Sequence, residues 1–252
     1  MDEYSQLLPQ PNKSQQPRRR RSPKWLFFIL LGLLAALTLV LVHKQSAEQR
    51  IQQPLNVPDK VPVEFFVMSR CPDAALMEQV FAEVVPQVHT IMDVKLNYFA
   101  KLDSNSTLGA KCAHGEAECH GNIHELCALK HTKELPLFWR FLVCLNKKLD
   151  MVGDMDFTLE CASAAGLDTA ALLQCVGGQE GKELFRQSVE NTVYSGVKRS
   201  ATVFVAGQKR CVEDSGWREC PGGHRPEDFV RDICKAQKGA KPSICSQYPG
   251  YY

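Results

Sequence analysis

Residues 61–68 (VPVEFFVM) are β-branched and aromatic with almost no polar interruption, which predicts a buried strand. Cys71 and Pro72 follow directly, and a proline suits the first turn of a helix. Ala75, Leu76, Val80, Phe81, Val84, Val85 and Val88 then recur at helical spacing. Residues 94–100 (VKLNYFA) alternate in part and predict a second strand, completing a βαβ unit with a cysteine at the helix N-terminus. Residues 112–177 carry little strand signal. Helical stretches at 138–145 and 169–175 and six cysteines there predict a helical insert stapled by disulfides. A helix is expected over 179–195, and a β-hairpin from 202–205 and 209–212 around Ala206, Gly207 and Gln208. Residues 226–237 (PEDFVRDICKAQ) begin with proline, place acids early and bases late, and predict a closing helix.

That order matches an α/β domain of thioredoxin-like type with a disulfide-rich helical insertion. Ahead of it, residues 25–42 (WLFFILLGLLAALTLVLV) form an uncharged run. At ~1.5 Å per residue it spans roughly 27 Å, close to the hydrocarbon thickness of a bilayer. Residues 1–24 hold six Lys/Arg against two Asp/Glu, with Arg18, Arg19, Arg20, Arg21 and Lys24 abutting the run, whereas residues 43–252 hold 24 against 26. The positive-inside rule makes 1–24 a cytoplasmic basic tail and 25–42 a transmembrane signal anchor. Residues 43–60 read as a polar stalk, 61–245 as the domain and 246–252 as a tail. The expected protein is a single-pass type II membrane protein with its domain in the lumen of the secretory pathway or of a lysosome or vacuole. A cleaved signal peptide is the rival reading; the long charged leader and the absence of a small-residue cleavage site argue against it. Topology also accounts for the arginine run, and a near-neutral domain is not expected to bind nucleic acid.

The compartment changes how the eleven cysteines read. Ten lie between Cys112 and Cys245, and in an oxidising lumen they form a disulfide framework. Cys112, Cys119, Cys127, Cys144, Cys161, Cys175, Cys211, Cys220, Cys234 and Cys245 are therefore assigned to structural disulfides. Connectivity stays open, with Cys211–Cys220 and Cys234–Cys245 as the favoured local pairs. An odd total leaves at least one thiol unpaired, and Cys71 is the outlier in sequence. Asn105, in an Asn-Ser-Thr sequon, is the expected N-glycan site.

Residues 112–127 (CAHGEAECHGNIHELC) carry Cys112, His114, Gly115, Glu118, Cys119, Asn122 and Cys127 in a C-x-H-G-x2-E-C-x2-N-x4-C arrangement. This run resembles the signature of the gamma-interferon-inducible lysosomal thiol reductase family, and 238–245 (KGAKPSIC) is similar to that family's C-terminal end. The resemblance covers roughly residues 61–245. It implies a thioredoxin-like fold and reduction of protein disulfides in acidic compartments. At the active site the chain departs from the pattern. Ala74 stands where a C-x-x-C pair has its second cysteine, and no cysteine follows before Cys112. Ala201, just before Thr202, occupies the place where such folds carry a cis-proline.

These features make Cys71 the expected catalytic residue, with Arg70, Pro72, Asp73, Ala74, Ala201 and Thr202 as its neighbours. Helix N-terminal N–H groups and an adjacent arginine favour a thiolate, while Asp73 opposes it. With no near resolving thiol, Cys71 is expected to work as a monothiol on disulfide-containing polypeptides. No cofactor is implied, only an external thiol such as cysteine or glutathione as reductant. The alternatives are pairing of Cys71 with another cysteine, a redox-silent, membrane-tethered polypeptide-binding or chaperone-like module, and a Cys71-linked dimer. His114, His120, His124 and His131, interleaved with cysteines, invite a zinc reading. Lumenal oxidation and the fit to the signature favour disulfides instead, so no metal is expected, and His114 is expected to pack or hydrogen-bond rather than act as a base.

Overall fold

A computed structural model describes residues 28–29, 31–34, 36–40 and 60–248. The chain divides into two compact units, 1–56 and 57–252. In the first, the described residues are helical, and Phe28, Leu31, Leu33, Leu34, Leu37, Leu39 and Val40 are exposed. Among the described residues no helix is long and apolar enough to cross a membrane. The anchor expected over 25–42 lies partly outside the described residues; the basic tail, the stalk through 59 and residues 249–252 lie wholly outside them.

The second unit opens with β1 (Val61–Val67), α1 (Pro72–Val88) and β2 (Met92–Tyr98). The two strands run parallel with Val61 opposite Met92 and Val67 opposite Tyr98, as a βαβ crossover requires. A short ribbon, β3 (Lys101–Leu102) and β4 (Ala110–Lys111), leads into the insert; the sequence pattern did not predict it. Four helices make the insert: α2 (Glu116–His131), α3 (Leu135–Leu145), α4 (Met155–Ala165) and α5 (Thr169–Gly177). Capping residues separate the last two. Asp154 accepts from the Phe157 amide, Gly166 takes a left-handed conformation after α4, and Asp168 accepts from the amides of Ala170 and Ala171. After α6 (Gln179–Ser195) come β5 (Thr202–Val205), β6 (Gln208–Glu213), a further short strand β7 (Trp217–Arg218) and α7 (Pro226–Ala236). The sheet order is β2-β1-β5-β6-β7, with β5, β6 and β7 antiparallel to their neighbours.

The core stripe of α1 is rotated slightly from the one predicted. Ala74, Met77, Phe81, Val84, Val85 and Val88 are buried along with Glu78, whereas Leu76 is 56% exposed. Phe81 packs edge-on to Phe65 of β1 at 4.7 Å and against Phe229 of α7 at 4.8 Å. Each such side chain contributes about 1.5–3 kcal/mol by leaving water. The outer edge of β2 is closed by α6. Ser188 Oγ accepts from the Tyr98 amide at 2.8 Å and donates to the Leu96 carbonyl at 3.0 Å, so one hydroxyl pairs two backbone groups on this edge.

Five disulfides pair ten cysteines: Cys112–Cys119, Cys127–Cys175, Cys144–Cys161, Cys211–Cys220 and Cys234–Cys245. The last two are the local pairs favoured from the sequence. Cys71 is free.

Candidate active site

Strand β1 ends at Val67, and a turn over 68–70 delivers Cys71 to the N-cap of α1 in an extended conformation (φ −82°, ψ 122°). Its amide donates to the Met68 carbonyl at 3.0 Å, and its carbonyl accepts the first helical bond, from the Ala75 amide, at 3.1 Å. The amides of Asp73 and Ala74 come before that first bond, so the helix presents uncommitted donors beside the thiol. The turn does not leave Cys71 open: the residue is 6% exposed, with Pro72 exposed and Ala74 buried beside it.

The neighbours depart from expectation in two respects. Arg70 is not aimed at the thiol. Its Nε donates to the Val152 carbonyl at 3.0 Å and its Nη2 to the Asp150 carbonyl, so the guanidinium ties the turn to the insert. Ala201 is no proline, yet the Ser200–Ala201 peptide bond is cis. Ala201 exchanges two backbone hydrogen bonds with Glu213, at 3.0 and 2.9 Å, and the Thr202 hydroxyl donates to the Arg199 carbonyl at 2.7 Å. Thr202 stands opposite Phe66 in the β1–β5 ladder, which sets this loop at the same end of the sheet as the Cys71 turn.

The signature residues assemble into a clamp on that turn. Gly115 caps α2 at φ +86°, a backbone conformation that L side chains rarely adopt. The His114 amide donates to the fully buried Glu118 carboxylate at 3.2 Å, and the His114 ring pairs with its other oxygen. One turn on, Asn122 Oδ1 accepts from the Ser69 amide at 3.1 Å, while the Ser69 hydroxyl donates to the Glu118 carbonyl at 3.0 Å. Asn122 Nδ2 lies 3.6 Å from the Cys112 sulfur of the Cys112–Cys119 bridge. Gly121 is required by this contact, since a Cβ there would sit 2.6 Å from Ser69 Oγ and 2.5 Å from Val152 Cγ1. Sequence reasoning missed Ser69, Gly121 and Val152; the only available signal was a glycine inside an otherwise helical run.

Sequence reasoning also missed two buried acids, one on each of α1 and α2. Glu78, on the buried face of α1, accepts from Asn146 Nδ2 at 2.6 Å, and burial pushes it up to about 7. Glu125, on α2, accepts from the Tyr98 hydroxyl and is raised well above the usual range, first by burial and then by the charge of Glu78. Among the described residues, one set of three His, Cys, Asp or Glu ligand atoms lies within 4.8 Å: His131, Cys175 and Glu180. Cys175 is spent in the Cys127 bridge, and His131 pairs with Glu180 at 3.0 Å, so the set offers no thiolate. Asn105 is exposed on the β3–β4 loop.

A βαβ unit with a free cysteine capping its helix, in a mixed sheet closed by an antiparallel hairpin, defines a thioredoxin-like domain. The model of the gamma-interferon-inducible lysosomal thiol reductase (GILT) family matches residues 62–165. A GILT-like protein of Anopheles gambiae is 31% identical over 163 residues, covering 57% of this chain and 66%, just under two thirds, of that protein. The gamma-interferon-responsive lysosomal thiol protein of Arabidopsis thaliana is 24% identical over 191 residues, covering 74% of this chain and 76% of its own. Among solved structures, oxidised Mtb DsbA superposes with a TM-score of 0.50 at 20% identity, over 78% of this chain and 92% of that one, and shares the fold. Residues 62–165 thus match the gamma-interferon-inducible lysosomal thiol reductase family, and these relatives extend the similarity beyond that segment.

Proposed function

We propose that this protein reduces polypeptide disulfides by monothiol chemistry at Cys71, tethered by residues 25–42 in an acidic secretory or lysosomal lumen. The observation that carries the reading is the free Cys71 at the N-cap of α1, with Ala74 in place of a second thiol. In the first step the Cys71 thiolate attacks one sulfur of a substrate disulfide. A mixed disulfide forms as the old bond breaks, and the departing sulfur leaves as a thiolate that takes up a proton. An external thiol such as cysteine or glutathione then attacks the Cys71 sulfur and releases the substrate reduced. A second one attacks that small thiol, regenerating the Cys71 thiolate and carrying both electrons' worth of oxidation away as its own disulfide. Attack by the substrate's second cysteine instead returns a rearranged substrate disulfide. Cys112, Cys119 and the other paired cysteines take no part.

Lumenal placement is supported by the charge asymmetry about residues 25–42, by five disulfides and by the exposed sequon at Asn105. A glycosidase-sensitive mass shift lost in Asn105→Gln tests it. The second reading, a redox-silent polypeptide-binding module, is favoured by the 6% exposure of Cys71, which also disfavours a Cys71-linked dimer; non-reducing electrophoresis reads the dimer directly. Insulin reduction by the full chain with glutathione, at acidic and neutral pH, separates enzyme from binding module. Activity that disappears in Cys71→Ser supports the reductase; polypeptide binding with no turnover in either protein supports the module.

A further inference from the structure

Helix α2 carries two histidines one turn apart that neither the disulfides nor the Cys71 site uses. His124 is 1% exposed. Its Nδ1 lies 2.8 Å from Thr158 Oγ1, and that hydroxyl already donates to the Asp154 carbonyl at 2.7 Å. Nδ1–H must then be the donor to Thr158, so in the neutral ring the lone pair lies on Nε2. Nε2 makes no hydrogen bond with any described residue. Nor is it among the sealed unpartnered atoms, which are Ser200 Oγ, Arg210 Nη1 and Nη2, and Gln237 Oε1. It therefore opens on the cavity of about 400 Å³ that His124 lines together with His120, Ile123, Met155 and Lys182.

The other groups around this cavity suit a metal. The His120 ring, 43% exposed at its side chain and 4.0 Å from the Glu116 carboxylate, has its centroid 6.3 Å from that of His124. An ion ~2 Å from one nitrogen of each ring lies about 3 Å from each ring centre, so this separation matches a near-linear bridge between the two imidazoles, which a third donor would join from the side. Met155 is brought to the same cavity because the chain before it presses on the first turn of α2. A Cβ on Gly153 would sit 2.0 Å from the Ala117 carbonyl oxygen, and Gly153 has φ +94°. The Thr158 contact is the kind of outer hydrogen bond that fixes a ligand histidine's ring.

We propose that His120, His124 and Met155 form a binding site for Cu(I). Two imidazoles and a thioether are a soft donor set, and thioether sulfur selects Cu(I) over zinc or the hard cations. Lys182 at the rim favours the same choice, because its repulsion of a monovalent ion is half that of a divalent one. The site is independent of the reductase reading and is tested without it. The full chain carrying Cys71→Ser, which removes its free thiol, is titrated in detergent with Cu(I) held reduced by ascorbate against a colorimetric Cu(I) chelator. The expected result is one Cu(I) per chain, with nitrogen and one sulfur scatterer in the X-ray absorption spectrum. His120→Ala and Met155→Leu, both at partly exposed positions, should each weaken binding about tenfold with the melting temperature unchanged. No competition for Cu(I), a sulfur-free shell, or affinity unchanged in His120→Ala overturns the proposal.

Discussion

The Cys71 turn and the insert that packs on it use cysteine in opposite ways. In β1 and α1 there is one cysteine, unpaired and at a helix N-terminus, with a buried alanine one turn further on. In the insert, Cys112, Cys119, Cys144 and Cys161 are joined within it, and Cys127 bridges α2 to Cys175 of α5. The side-chain tethers on Ser69 and Arg70 nevertheless all end in the insert, at Asn122, Glu118, Val152 and Asp150. On the proposed function, reactivity falls on one region and rigidity on the other. The family signature belongs to the second, which means that it marks how the turn is held rather than what attacks the substrate.

The strongest way to break this comparison is to open the insert's bridges one at a time. Cys127→Ala with Cys175→Ala removes a link of sequence separation 48, worth about 4 kcal/mol in the chain-entropy model. Cys112→Ala with Cys119→Ala removes one of separation 7, worth about 2 kcal/mol by the same relation. Urea unfolding should rank the two pairs in that order. Alkylation of Cys71 by iodoacetamide should rank them in reverse, since the Cys112–Cys119 bridge adjoins Asn122 and Ser69. Alkylation that simply follows global stability would dissolve the division of labour.

A second prediction concerns the two buried acids. Glu78 is raised from 4.5 to about 7 on folding, so the native state holds more protons than the unfolded chain between those values. Its contribution is therefore most favourable below pH 4.5 and is lost as pH rises towards 7, by on the order of 3 kcal/mol. Glu125, also raised, acts in the same direction. His124 acts against them: lowered from 6.5 to about 4, it costs stability as pH falls through that window. The clean observable is the difference between Glu78→Gln and the parent. Unfolding free energies should nearly coincide at pH 4.5, and the variant should be the more stable by pH 8. A difference independent of pH would show that Glu78 is not the buried titrating group.

Much of the frame was legible beforehand, and the reasons are local. Strand β1, helix α1 and the closing helix carry strong periodicity, Pro72 and Pro226 mark two helix starts, and both nine- to eleven-residue cysteine spacings close on themselves. What escaped depends on distant partners. Arg70 looks like a charge for the thiolate until Val152, 82 residues away, is seen to accept its hydrogen bond. Glu78 reads as a polar helix position until Asn146 is found 68 residues on. The alanine at 201 suggests that the cis geometry is gone, because proline is the usual sequence mark of it, yet the bond is cis.

Smaller in energy is the loss of Asn122. Asn122→Ala leaves the Ser69 amide without its acceptor in a buried setting, a cost of about 1–3 kcal/mol. Its effect on Cys71 alkylation should exceed that of Ser188→Ala, a buried hydrogen-bonding residue at the outer edge of β2. Equal changes in labelling from the two would mean that Cys71 senses stability in general and not the clamp.

The smallest expected effect separates charge from tether at the turn itself. Arg70→Lys keeps a positive charge next to Cys71 but loses the planar fork that reaches Val152 and Asp150 together, at about 1 kcal/mol of stability. If arginine served Cys71 through its field, lysine would preserve the alkylation rate and alanine would not. The geometry predicts the other outcome. Because the guanidinium is committed to two carbonyls of the insert, Arg70→Lys and Arg70→Ala should shift the rate by similar amounts, and raising ionic strength, which screens exposed charges, should leave the difference from the parent unchanged. Rescue by lysine that fades in salt would return Arg70 to the reactive half of the molecule.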